Sequence, residues 1–166
     1  ANRLVNKNIK NKNCPTIGVD FHTYYIKNKK IKIQIWDTAG HENFLSVTRS
    51  YYRNSSCVLL VYDVSSKDSF RNIKEKWINE IEKYCPKKTT IILIGNKKDL
   101  YHKRKITYKE GEQYAKSNNF IFFEISTLEN DLNQYEINNI FDLSANNIYN
   151  KINNNYFDNL KNNGIF

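Results

Sequence analysis

Residues 90–99, Thr-Ile-Ile-Leu-Ile-Gly-Asn-Lys-Lys-Asp, form a short run that is apolar on both faces and then turns polar. Two more runs that are apolar on both faces occur at 57–62 and 120–125. Such runs are typical of parallel strands that helices cover on both sides. Polar and apolar residues alternate instead at 31–36, which predicts a half-buried strand whose expected partner is 17–26.

Helical stripes of apolar residues separate these strands. They predict helices over 69–84, over 107–118 and along the stripe that runs from 137 to 152. Strands that alternate with helices favour an α/β domain with a mostly parallel sheet. We place that domain at 14–152, and we interpret residues 153–166 as an Asn-rich tail.

Composition limits the class of protein. The chain has 166 residues, with 26 Lys and Arg against 17 Asp and Glu, which fits one domain with a net charge of +9. The basic run 102–105 permits non-specific phosphate binding. The other cations are scattered, however, and no RNA-binding motif is present, so we expect no specific nucleic acid partner. A solvated surface or attraction to an anionic membrane explains the charge equally well.

Polar residues follow the predicted strands at their carboxyl ends, where open α/β sheets bind ligands. The carboxylate of Asp99 can accept two parallel hydrogen bonds, and guanine offers two adjacent N–H donors that adenine lacks. Asn96 and Lys97 would brace the loop and cover the ring. Backbone N–H groups at Ser126 and Thr127 could meet the oxygen of the base. The alternative for the Asn-Lys-x-Asp segment is a solvated turn.

Oxygen ligands for a hard cation occur near the predicted hairpin. Asp37 emerges from a strand and could hold a water bound to Mg²⁺, and Thr16 carries a hydroxyl that could bind the same ion. Gly40 has no Cβ, so its backbone N–H could approach a phosphate closely. An Asp-x-x-Gly segment by itself is equally consistent with a structural turn.

Together these motifs resemble the Ras superfamily of small GTPases, and within it the Rab family, over about residues 16–152. The resemblance rests on Asn-Lys-x-Asp together with 17–21 (Ile-Gly-Val-Asp-Phe), 33–40 (Ile-Gln-Ile-Trp-Asp-Thr-Ala-Gly), 51–53 (Tyr-Tyr-Arg) and 60–64 (Leu-Val-Tyr-Asp-Val). It implies a three-layer, P-loop NTPase-like fold. It also implies a GTP/GDP switch that needs Mg²⁺ and regulates vesicle-mediated transport.

The resemblance also implies roles for single residues. Thr16 and Asp37 would bind Mg²⁺ and the nucleotide, and Gly40 would meet the γ-phosphate. The base would be bound by Asn96, Lys97, Asp99, Ser126 and Thr127. Effectors, an exchange factor and a GTPase-activating protein would contact a surface made of Ile17, Phe21, Trp36, Phe44 and Tyr51, although the aromatic residues could equally be ordinary core.

The chain departs from the family at the catalytic position. His41 stands where the family carries the glutamine that orients the attacking water. Because imidazole lacks the fixed donor and acceptor of an amide, we expect slow GTP hydrolysis.

A larger departure is that the sequence contains no Gly-x-x-x-x-Gly-Lys-Ser/Thr loop for the phosphates. We expect an N-terminal truncation, in which residues 1–13 are the end of the first helix and a polar loop. The missing first strand would belong between 31–36 and 57–62. The chain as given is then expected to be inactive. The alternative is a Rab-like protein-interaction module that binds no nucleotide.

Membrane attachment is also left open by the sequence. Rab proteins end in prenylated cysteines, whereas this chain ends in Asn-Gly-Ile-Phe, so no prenyl anchor is visible. By resemblance, we expect a cytoplasmic protein that is peripheral on the cytosolic face of an endomembrane.

Overall fold

A computed structural model describes residues 16–26, 31–40, 45–128 and 131–151. The five strands are β1 (Val19–Ile26), β2 (Ile31–Thr38), β3 (Cys57–Asp63), β4 (Thr90–Asn96) and β5 (Ile121–Glu124). The helices are α1 (Leu45–Tyr52), α2 (Lys67–Asn72), α3 (Ile78–Tyr84), α4 (Tyr108–Ser117) and α5 (Asp131–Lys151). A π-helical turn, Ile73–Trp77, joins α2 to α3, and Tyr101–Lys103 is a 3-10 turn.

The described strands form two sheets. Strands β3, β4 and β5 are parallel in that order, and β1 pairs with β2 as an antiparallel hairpin. The predicted α/β fold with a parallel sheet is therefore confirmed. The resemblance places a further strand between β2 and β3, and within the described residues these two strands are not paired with each other.

Strand β4 is the centre of the hydrophobic core because both of its faces are covered. Leu93 belongs to a cluster with residues of α2, α3 and the π-helical turn, whereas Ile92 belongs to a second cluster with Ile137 and Ile140 of α5. Leu93 and Ile92 are fully buried. This arrangement is what a strand with two apolar faces predicts.

Helix α4 shows how local and tertiary preferences combine. It begins with a capping box, in which the Thr107 hydroxyl and the Glu110 carboxylate each accept a backbone N–H of the other residue. Gly111 lies inside this helix, where glycine is unfavourable. A Cβ at Gly111 would lie 2.4 Å from the Tyr62 hydroxyl and 2.7 Å from the Phe122 ring, so close packing on the sheet requires the glycine.

The hairpin contacts the rest of the domain on two sides. The Tyr24 ring lies 6.2 Å from that of Phe141 in α5. On the other side, the Trp36 ring lies 4.5 Å from that of Tyr51 in α1. The guanidinium of Arg49 in α1 in turn donates two hydrogen bonds of 2.9 Å to the Glu80 carboxylate of α3. Helix α1 therefore has a fixed place against α3.

Some boundaries differ from the prediction. Strands β2, β3 and β4 each extend beyond the apolar run that predicted them, because backbone pairing continues into the polar residues. The predicted helix at 69–84 begins earlier, at Lys67, and includes the π-helical turn, while α5 begins at Asp131 rather than near 137. Helix α1 was not predicted. The proposed segments 1–13 and 153–166 lie outside the described residues.

Candidate functional site

The loops after β4 and β5 meet at the carboxyl edge of the parallel sheet. The Ile125 N–H donates to the Gly95 carbonyl at 2.8 Å, and the Lys98 N–H donates to the Ile125 carbonyl at 3.1 Å. These backbone bonds hold the Asn-Lys-x-Asp segment beside Ser126 and Thr127.

Side chains join the same two loops. The buried Ser126 hydroxyl donates to Asp99 Oδ1 at 2.5 Å and accepts the Leu128 N–H at 3.2 Å. The Asn96 carboxamide accepts the Lys97 N–H at 2.7 Å and donates to the Thr127 hydroxyl at 3.5 Å. The five residues predicted to bind the base are thus brought together, and the Asp99 carboxylate has a set orientation.

Lys97 is held across the sheet edge by an acidic residue. Its backbone has a φ of 65°, which is unusual for a residue with a side chain. Its ammonium lies 2.6 Å from Asp63 Oδ2, and Asp63 Oδ1 accepts hydrogen bonds from the backbone and hydroxyl of Ser65. Burial acts to raise the pKa of Asp63, but the bonds from Lys97 and Ser65 outweigh it, so the pKa lies below its ordinary value.

Asp63 was not among the predicted site residues. It is the last residue of β3 and lies in parallel register with Asn96, the last residue of β4. Adjacent parallel strands end at the same edge, so the signal available in the sequence was an acidic residue at the end of a neighbouring strand.

The remaining candidate ligands lie on the other sheet, at the open end of the hairpin. The Ala39 N–H donates to the Gly18 carbonyl at 2.8 Å, which closes the hairpin beyond the Val19–Thr38 pair. Thr16, Asp37 and Gly40 lie at this end. Gly40 is exposed, and none of the residues that the structure describes, apart from its chain neighbours, would come within 4 Å of a Cβ built on it, so in that part of the chain nothing covers its backbone.

The donors at this end fit Mg²⁺ by chemistry. A hydroxyl from Thr16 and a carboxylate from Asp37 are hard oxygen ligands, and Mg²⁺ usually keeps several waters beside one or two protein ligands. Within the described residues, no group of three or more His, Cys, Asp or Glu side chains forms a metal cluster.

Three aromatic rings form a continuous row across the hairpin and α1. Phe21 and Trp36 are register partners with ring centroids 4.6 Å apart, and Trp36 lies 4.5 Å from Tyr51. Phe21 is 48% exposed and Trp36 43% exposed, and the neighbouring Ile17 is 84% exposed. We call Phe21, Trp36 and Tyr51 the aromatic row. Phe44 and His41 lie outside the described residues.

The parallel sheet, the hydrogen-bonded loops that follow β4 and β5, and the partly exposed aromatic row together are those of a protein of the Ras class. The Ras family model matches residues 1–160, so the chain belongs to the Ras family. It is 42% identical over 118 residues to the human Ras-related protein Rab-30, covering 70% of this chain and 58% of that protein. The predicted Rab-like character is thereby confirmed.

Two relatives from Dictyostelium discoideum give the same result. The chain is 40% identical over 134 residues to Ras-related protein RabC, covering 78% of this chain and 66% of the relative. It is 42% identical over 128 residues to Ras-related protein Rab-4, covering 76% and 62%. The chain therefore spans less than two thirds of the length of these relatives. None of the described helices has the length and apolar character needed to cross a bilayer.

Proposed function

We propose that this protein is a Rab-like GTP/GDP switch. The observation that carries the proposal is the Asp99 carboxylate, which is fixed by the buried hydroxyl of Ser126 beside Asn96 and Thr127. An oriented carboxylate with free lone pairs can accept the paired N–H donors of guanine. Adenine would leave this carboxylate unpaired, and a site of this kind rejects such a ligand strongly.

The phosphate side of the nucleotide would face the hairpin. Thr16 and Asp37 would hold Mg²⁺, which neutralises phosphate charge when bound. The exposed N–H of Gly40 would meet the γ-phosphate. Loss of that phosphate would release these contacts, and the resulting change in the hairpin end would be the signal. Because the sequence has no Gly-x-x-x-x-Gly-Lys-Ser/Thr loop, we expect GTP hydrolysis only from the full-length protein.

The aromatic row would be the surface that partners bind. Exposed aromatic rings lose water readily and often dominate protein interfaces. We infer that effectors, an exchange factor and a GTPase-activating protein bind here, and that the exposed Ile17 takes part. Phe44 would take part by resemblance alone. The similarity to Rab-named proteins supports a role in vesicle-mediated transport, on the cytosolic face of an endomembrane, with attachment through a prenyl anchor outside this chain.

The test is a change in base specificity in the full-length protein with Mg²⁺. In Asp99→Asn, the carboxamide would donate to the 2-oxo group of xanthine and accept its N1–H, whereas it repels the amino group of guanine. We expect GDP affinity to fall by about 100-fold, because charge-assisted hydrogen bonds are lost. The affinity for xanthosine diphosphate (XDP) should rise, because the carboxamide pairs with xanthine. Isothermal titration calorimetry with both nucleotides measures this exchange.

Asp68→Asn is the matched control. Asp68 is an exposed residue of α2 whose carboxylate pairs with Arg71, so the same chemical change there leaves both affinities unaltered. If Asp99→Asn bound GDP as tightly as the original protein, Asp99 would not read the base.

The lack of a phosphate-binding loop in the sequence favours a second candidate, a Rab-like interaction module that binds no nucleotide. In that case the aromatic row would be available to partners at all times. GDP, GTP and ATP would then all leave the melting temperature of the full-length protein unchanged, because only a ligand that binds the native state raises it. Stabilisation by GTP but not by ATP excludes this candidate.

A further inference from the structure

The base-binding loop continues into a basic surface that the proposed switch does not use. Tyr101, His102 and Lys103 form a 3-10 turn in which all three residues are exposed, so the turn lies at the surface of the domain. Backbone bonds fix its shape, since the N–H groups of Lys103 and Arg104 donate to the carbonyls of Leu100 and Tyr101. The N–H groups of residues 105 and 106 both donate to the Val64 carbonyl, which ties the segment to the end of β3.

The cationic side chains of this segment lie in two different environments. Arg104 forms two hydrogen bonds, of 2.8 and 2.9 Å, with the nearly buried carboxylate of Glu124, so its charge is neutralised. Lys103 and Lys105, on either side of it, are exposed and form no ion pair with any described residue, and the same holds for Lys109 on the first turn of α4. Three uncompensated ammonium groups thus occur between residues 103 and 109, where Arg104 alone among the cations is paired with a described residue.

The acidic residue of that helical turn is already engaged. Glu110 accepts hydrogen bonds from Thr107, which lower its pKa, and the cations that act on it are Lys67 and Lys74. The neighbouring cations of the base-binding loop are also paired, since Lys97 lies beside Asp63 and Lys98 beside Glu136. These pairs add no charge to the exposed surface.

Two tyrosines lie among the uncompensated lysines. Tyr101 is 67% exposed, with its ring centroid 3.8 Å from that of His102. Tyr108 is 52% exposed and contacts the Phe122 ring edge to face at 5.2 Å. Both rings therefore combine an apolar body with a hydroxyl that reaches water. We call the surface the basic patch, and its members are Tyr101, His102, Lys103, Lys105, Tyr108 and Lys109.

We propose that the basic patch binds the surface of a bilayer rich in anionic phospholipids. Lysine ammonium groups are attracted to the anionic headgroups, and tyrosine rings settle at the boundary between headgroups and acyl chains. An exposed turn can meet a broad, nearly flat surface. Single-stranded nucleic acid favours grooves with open ring faces, whereas these rings already contact His102 and Phe122.

This proposal does not rest on nucleotide binding. The contact would set the orientation of the domain on the membrane, because the patch has a fixed backbone and lies beside the base-binding loop. A protein that bound no nucleotide would still have this surface.

The test is sedimentation of the full chain with phosphatidylserine-rich vesicles and with pure phosphatidylcholine vesicles. We expect binding to the first and not to the second. The double variant Lys103→Gln/Lys105→Gln should bind the anionic vesicles about 30-fold more weakly, which corresponds to about 1 kcal/mol for each lysine. Both side chains are exposed and unpaired among the described residues, so the melting temperature should not change.

The control variant removes the same charge elsewhere. Lys87→Gln/Lys116→Gln changes one lysine in the turn before β4 and one in the last turn of α4, both exposed. We expect it to bind the vesicles within about threefold of the original chain, since only general attraction is lost. The proposal is overturned by equal losses in the two variants, or by failure of the original chain to bind anionic vesicles. Tighter binding to a single-stranded oligonucleotide that the Lys103/Lys105 variant loses would also overturn it.

Discussion

The parallel sheet and the hairpin hold their candidate functional residues in different ways. At the edge of the parallel sheet, Asp99 and Asn96 are bonded to the neighbouring loop, and they follow a strand whose interior residues, such as Ile92, are fully buried. On the hairpin, Phe21 and Trp36 are almost half exposed, and in the described part of the chain nothing covers the backbone at Gly40. The first region is held by hydrogen bonds within the protein, and the second presents surface.

This difference matches what each region would have to do. A loop that distinguishes guanine from adenine gains affinity when its polar groups are already in place, because binding then loses less conformational entropy. A surface that signals to partners needs apolar rings that can be desolvated, and it must respond to the ligand. The comparison predicts that substitutions in the two regions affect different measurements.

The largest expected effect is on stability, from truncation of one isoleucine in each region. Ile92→Ala removes a fully buried side chain packed against Ile137 and Ile140, so the free energy of unfolding should fall by about 3 kcal/mol. Ile17→Ala makes the same chemical change at a residue that is 84% exposed, and it should cost less than about 0.5 kcal/mol.

Urea denaturation followed by circular dichroism measures both values. Similar losses in the two variants would mean that the hairpin end is buried in solution, and the contrast between the regions would then be wrong.

The next effect concerns the rate of hydrolysis. We expect the hairpin end to control hydrolysis and the parallel sheet to control base recognition. His41→Gln should therefore change the rate of GTP hydrolysis and leave the affinity for GDP unchanged. We expect GTP hydrolysis by the full-length protein to accelerate about tenfold, or about 1.4 kcal/mol in activation free energy, because an amide orients water better than imidazole does.

Single-turnover hydrolysis gives the rate, and GDP affinity serves as the internal control because it should not change. An unchanged rate would indicate that a partner supplies the glutamine and that His41 takes no part.

In the parallel sheet, the sequence predicts the strands better than it predicts where they end. The buried strands of the parallel sheet were predicted correctly because their residues are apolar on both faces. Their ends were not, since Asp63 and Asn96 belong to β3 and β4 through parallel pairing that continues beyond the apolar run. Pairing between strands far apart in the chain leaves no local pattern at these positions.

Helix α1 and the role of Asp63 were missed for a related reason. The sequence of α1 includes Ser46, Thr48 and Ser50 and gives no clear apolar stripe, and the helix is placed by the tertiary bond between Arg49 and Glu80. The predicted base-binding residues, in contrast, are neighbours within two short segments, so the motif alone predicted that they would lie close together.

The smallest expected effect concerns Asp63, and it depends on pH. The pKa of Asp63 lies below its ordinary value of 3.8, so its bonds to Lys97 and Ser65 stabilise the fold fully above that value and are lost as the pH falls through the lower one. Asp63→Asn should therefore lower the free energy of unfolding by about 1 kcal/mol at pH 7, and the difference should shrink below pH 3.8. The control Asp68→Asn, at an exposed pair, should differ little from the original at either pH. Denaturation curves at both pH values decide the point, because a difference that persists unchanged in acid would show that the loss does not come from the charge of Asp63.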